Sequence, residues 1–209
     1  ACGLVTAKCR IVAAAHEIQE GAAACEVLHQ VPGPIRHLRA DFRQEIIGPD
    51  QDRVEQATGT VVLSKPGRFR WDYREPYERV IIADGERVWL YEADLEQVTV
   101  RRLAAGLGDT PAALLTGDAE ALARFDFVGV REQDGIEWLD LAARSVEADF
   151  STVALGFSGD ELQRIEFVDR LGQRTRVSLS AIDRAPQLTD ADFSFDIPDG
   201  VDVIDEDDL

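Results

Sequence analysis

The 209-residue chain contains no methionine, three histidines and three cysteines, and only 7% of its residues are aromatic. Without methionine, Ala1 is expected to follow a point of processing or truncation. His16, His29 and His37 all precede residue 38, so a catalytic triad using the C-terminal half would have to be long-range. Cys2, Cys9 and Cys25 form no pair that repeats at a zinc-like spacing. Cys25, His29 and His16 therefore read as helix residues, with no metal site. An odd cysteine count leaves at least one thiol unpaired in an oxidising compartment. No run approaches the roughly 20 apolar residues that span a bilayer. Residues 4–15 are broken by Lys8 and Arg10, which makes a poor signal-peptide core. Cationic side chains are scarce too: 22 Lys and Arg stand against 40 Asp and Glu, a net charge of −18. That sign argues against a nucleic-acid partner and against adsorption to an anionic membrane.

The aromatics that do occur are concentrated. Residues 64–100 hold all three tyrosines and two of the three tryptophans, and read as four antiparallel strands joined by short turns. Phe69, Trp71 and Tyr73 alternate with Arg68, Arg70 and Asp72, which places the rings on one face and the charges on the other. Asp84-Gly85 is a strong hairpin signal, because glycine supplies the positive φ of a tight primed turn. Strands 88–91 and 98–100 follow, rich in β-branched and aromatic residues. At strand spacing, Phe69, Trp71, Trp89 and Tyr91 suit either a plain core or a ligand pocket.

Elsewhere, residues 11–30 favour helix until Pro32-Gly33-Pro34 breaks it. Leu38, Phe42 and Ile46-Ile47 lead into a first strand, and residues 58–63 form a second. Asp109 or Thr110 can cap a short helix with Pro111 at its first position, and Asp118 a second one reaching Arg124. Two short helices inside an all-β pattern suit a lid or plug better than a wall. From Phe125 the strands resume, with half-buried alternation at Ile165 and Phe167 and at Val177 and Leu179. Phe193, Phe195 and Ile197 close the ordered chain before an acidic tail expected to be solvated. The pattern predicts one mainly β domain of ten or eleven strands. Its boundaries are an uncertain N-terminal segment 1–34, a body 35–200 that includes helices at 111–124, and a tail 201–209.

Catalytic signals are weak. Gly156-Phe157-Ser158-Gly159-Asp160 comes near the nucleophile elbow, but its last glycine is replaced by Asp160 and it sits between two strands rather than before a helix. Asp140, Glu147 and Asp149 belong to an excess of carboxylates in which pairings arise by chance. The expectation is no enzyme, no catalytic residue and no cofactor.

The run KPGRFRWDY, then EPYERVIIADGERVWLYEADLEQVTVRRL, then DTPAALLTGD resembles the outer-membrane lipoprotein carrier protein family, LolA. The similarity continues more weakly through GFSGDELQRIEFVDRLGQRTRVSLS and FSFDIPDGVDVI. The resemblance implies an unclosed, strongly curved antiparallel β-barrel with a helical lid. It also implies a periplasmic chaperone whose cavity receives lipoprotein acyl chains, loaded by an inner-membrane lipoprotein-releasing ABC transporter and unloaded by an outer-membrane lipoprotein receptor. A monomer is expected. The family's lipid-facing strand matches Phe69 and Trp71. Trp89, with Leu114 and Leu115 of the helical segment, completes the candidate lipid-binding set. The family usually has Arg before the proline of this run, where it latches the lid. Lys65 stands there instead, able to donate but lacking the planar fork. The alternatives are a sensor or regulatory module of the same fold, expected to need a second domain, and the outer-membrane receptor itself. Cys2 has the Ala and Gly neighbours of a lipidated cysteine but not the apolar run before it.

Overall fold

The computed structural model describes residues 36–50, 52–103, 123–146, 148 and 150–206. The helix read at 11–30, the Pro-Gly-Pro break, all three cysteines, Leu114, Leu115 and nearly all of the 111–124 segment lie outside the described residues.

Among the described residues the chain builds one sheet of twelve strands. These are β1 (His37–Ile47), β2 (Arg53–Ser64), β3 (Arg68–Glu75), β4 (Arg79–Asp84), β5 (Arg87–Glu92), β6 (Gln97–Arg102), β7 (Phe125–Gln133), β8 (Ile136–Ala143), β9 (Phe150–Ser158), β10 (Glu161–Asp169), β11 (Arg174–Asp183) and β12 (Asp202–Asp205). Their order is β12-β6-β5-β4-β3-β2-β1-β11-β10-β9-β8-β7. Strand β1 joins two meanders, pairing antiparallel with β2 on one side and β11 on the other. The edges β7 and β12 do not pair with each other, so the curved sheet stays unclosed.

Local chemistry explains the turns. Asp84 Oδ1 accepts the N–H groups of Glu86 and Arg87 at 2.7 and 2.8 Å, while Gly85 takes φ +109°. Asp134 and Gly135 both have positive φ between β7 and β8, as a primed hairpin turn requires. The near-elbow around Ser158 is likewise a strand-to-strand turn between β9 and β10. Breaks in register at Arg39/Asp41, Thr58/Gly59, Phe127/Gly129 and Leu162/Arg164 mark bulges, which bend strands and raise their twist.

The inner face is apolar across both meanders. Phe42, Phe69 and Trp71 from one half and Phe125, Leu139 and Ile165 from the other belong to one contiguous cluster of buried side chains. The outer face of β4–β6, with Val80, Ile82, Trp89, Tyr91, Val98 and Val100, is apolar as well, and the chain returns over it. A short 3-10 turn, Asp190–Phe193, lies against β3 and β4. Phe193 is buried beneath the Arg68 guanidinium, 4.9 Å from its ring centre, and Phe195 packs on Tyr91 at 5.5 Å. Arg68–Asp190 and Arg39–Asp192 ion pairs, both 2.8 Å, fix the strap to the sheet.

One expectation changes at this end of the chain: regular structure does not stop at Ile197. Asp202–Asp205 forms β12, hydrogen-bonded in parallel to β6, and raises the count to twelve strands. Being short and exposed, with Val203 and Ile204 adjacent, β12 carries no hydrophobic alternation by which to read it.

Candidate functional site

The inner wall of β1–β3 is built on the register of two strand pairs. Phe42 faces Gly59, Gly59 faces Tyr73, Val61 faces Trp71 and Leu63 faces Phe69. Phe69, Trp71 and Tyr73 do share one face, as their alternation predicts. Phe42 joins them from β1: its ring lies 5.1 Å from Trp71, tilted at 55°, and 5.0 Å from Tyr73, edge-on at 76°. The missing side chain of Gly59 leaves room for this grouping, since a Cβ there would come within 2.8 Å of Phe42 Cε1. The Leu38, Ala40, Phe42 alternation could have placed Phe42 on this wall.

The wall has a polar end. The Tyr73 hydroxyl donates to Gln44 Oε1 at 3.1 Å, and burial pushes the Tyr73 pKa up to about 12, so the phenol stays protonated. Gln44 had no sequence signal beyond its place two residues after Phe42.

Trp89 does not join the wall. Its ladder partners are Ile82 and Val100, and Ile82 in turn faces Arg70, so Trp89 shares the face of Arg70 and turns away from Phe69 and Trp71. The run Val88-Trp89-Leu90-Tyr91 is apolar at every position, because the inner face meets the core while the outer face lies toward the strap. A run of that kind shows no phase. Leu114 and Leu115 lie outside the described residues.

Lys65 sits in the β2–β3 turn, half-buried, with its backbone N–H donating to the Arg36 carbonyl at 2.8 Å. Burial pulls its ammonium below the ordinary lysine value. The side chain is thus held against the protein rather than extended into water, at the end of the wall nearest Phe69.

Glu137, which the sequence did not single out, is a buried carboxyl on β8 opposite Phe157. Desolvation raises its pKa. Above both its folded and unfolded pKa values the folded state carries a poorly solvated charge; below both, the group is neutral in each state and the penalty vanishes. Glu137→Gln is therefore expected to raise the melting temperature at pH 7, with the gain shrinking as pH falls toward 4.5. Melts at several pH values check this, and a gain that grows in acid contradicts the sign.

Chemically, the wall presents apolar side chains, with the Tyr73–Gln44 pair at its polar end. Among the described residues no group of three His, Cys, Asp or Glu side chains could hold a metal ion, and no helix is long and apolar enough to cross a membrane.

An unclosed, curved antiparallel sheet with an aromatic concave wall defines the class of protein. The family described as "Outer membrane lipoprotein carrier protein LolA" matches residues 34–196. An outer-membrane lipoprotein carrier protein of Methylobacillus flagellatus is 40% identical over 169 residues, covering 81% of this chain and 82% of that one. One from Nitrosospira multiformis is 40% identical over 172 residues, covering 82% and 83%. The chain belongs to the LolA family. A solved LolA superfamily protein from Nitrosomonas europaea is 14% identical, covers 85% of this chain and 98% of its own, and has a TM-score of 0.46. That likeness is too distant to add to the sequence match.

Proposed function

We propose that this protein is a periplasmic carrier that takes lipoprotein acyl chains against the concave wall of Phe42, Phe69 and Trp71. It receives them from an inner-membrane ABC transporter and delivers them to an outer-membrane receptor, with residues 111–124 as the lid. The observation that carries this reading is a row of aromatic side chains on the inner face of a sheet that does not close.

The physics suits a carrier. Burial is worth ~0.8 kcal/mol per CH₂, so one chain of about sixteen carbons carries roughly 12 kcal/mol, and no lipoprotein with two or three such chains crosses water unaided. Phe42 and Phe69 are 3% and 2% exposed, so in this state the wall is already covered. Cargo binding must therefore uncover it, and the covered state competes with cargo and keeps affinity moderate. Moderate affinity is what permits release at the second membrane. A net charge of −18 also disfavours adsorption to anionic lipid on the way.

The test is reconstituted transfer. Purified protein is incubated with inner-membrane vesicles that hold the transporter and a labelled lipoprotein, then separated by size. Co-elution of lipoprotein with the carrier, dependent on ATP, is expected; lipoprotein that stays with the vesicles contradicts the proposal. The same assay examines Lys65. As a latch, Lys65 holds the covered state, so Lys65→Leu is expected to keep the fold while changing release to receptor-bearing vesicles by about threefold or more, on the scale of one hydrogen bond. Unchanged loading and release would make it an ordinary turn lysine.

A further inference from the structure

We infer that the indole N–H of Trp71 is a hydrogen-bond donor reserved for the carbonyl oxygen of an acyl ester or amide, so that the wall recognises acyl groups and not hydrocarbon alone. This rests on the carrier reading. Trp71 is 7% exposed, and its Nε1 is buried without a hydrogen-bond partner among the described residues. Buried donors are almost always satisfied, and leaving one open disfavours the folded state.

Its surroundings do not meet that need. The residues across the ladder from Trp71 are Val61 and Ile81, whose side chains accept nothing. Phe42 packs against the ring, and the Tyr73 hydroxyl, on the same face, is directed to Gln44. A wall meant only for hydrocarbon would be served by phenylalanine at position 71, as it is at 42 and 69. A donor in the middle of such a wall is matched by a ligand with one acceptor set in an apolar body. An acyl chain joined through an ester or amide has that form; an alkane does not. A tryptophan whose polar atom meets ligand only in the loaded state also gives that state a bond the covered state lacks, which favours exchange.

The test compares two probes of equal chain length: methyl pyrenedodecanoate, which carries an ester, and dodecylpyrene, which carries no acceptor. Binding is read by pyrene fluorescence with wild type, with Trp71→Phe, and with the isosteric benzothienylalanine introduced at Trp71, which removes only the N–H. Wild type is expected to prefer the ester about fivefold, the value of one hydrogen bond. Both replacements are expected to abolish that preference, whatever the smaller phenyl ring does to the affinity for both probes alike. In proton–nitrogen correlation spectra the Trp71 indole resonance should move downfield with the ester probe only. Equal wild-type affinity for the two probes, or equal losses for both in the isosteric protein, overturns the inference and leaves the carrier reading standing. If neither probe binds wild type, the carrier reading fails and this inference with it.

Discussion

Phe69→Glu is expected to give a folded, soluble protein whose affinity for acyl chains falls at least about a hundredfold. Phe69 is 2% exposed and lies between Leu63 and Ala83 on the inner wall, so a carboxylate there would meet apolar neighbours on both sides. In a sealed core that charge has no escape, and the loss of several kcal/mol would unfold a marginal domain. A wall that uncovers for cargo offers another outcome. The carboxylate shifts the protein toward the uncovered state, where water solvates it, and then repels any acyl chain that tries to lie on the wall. Melting temperature should therefore fall modestly while binding of a fluorescent acyl probe disappears. Phe69→Leu, apolar and of similar reach, should retain most of both. A collapsed melting temperature in Phe69→Glu would mean that Phe69 is core and not cavity.

Much of this wall was legible because alternation is a local property. Phe69, Trp71 and Tyr73 stand between charged residues, and period-two patterning fixes their common face without knowledge of any partner strand. The Asp84-Gly85 turn was legible for a similar reason, since it needs positive φ and a glycine supplies it. Trp89 shows where locality ends. Which face it takes depends on its pairing with Ile82 and Val100, and its strand is apolar on both sides because Phe193 and Phe195 return over the outer surface. That return is a contact across about a hundred residues of sequence. The same limit hid β12, whose pairing with β6 is parallel and whose Val203 and Ile204 stand side by side rather than alternating. Glu137 escaped notice among many carboxylates, because its burial comes from packing and not from its neighbours in sequence.

The other large effect is expected at Gly59, where adding a single methyl group should destabilise the protein by about 4 kcal/mol. Alanine normally improves on glycine within a strand, by roughly 0.5–1 kcal/mol, because it restricts the unfolded chain. Gly59 reverses that sign. It sits at the bulge where the β2–β3 register shifts, and a Cβ there would lie 1.8 Å from the Asp72 carbonyl oxygen and 2.8 Å from Phe42 Cε1. The first of these contacts is with backbone, so no rotamer relieves it, and β3 must draw back from β2. The second displaces the Phe42 ring from Trp71 and Tyr73, undoing both aromatic contacts of the wall. Gly59→Ala is thus expected to lower the melting temperature by about 8–16 °C for a domain of this size. It should also weaken acyl-probe binding in whatever fraction remains folded. Gly129, on edge strand β7, supplies the comparison: a Cβ there meets nothing within 4 Å. Gly129→Ala should leave stability unchanged or slightly raised. If the two alanine variants melt together, the close approach of Gly59 to Asp72 is not what holds the aromatic wall in place.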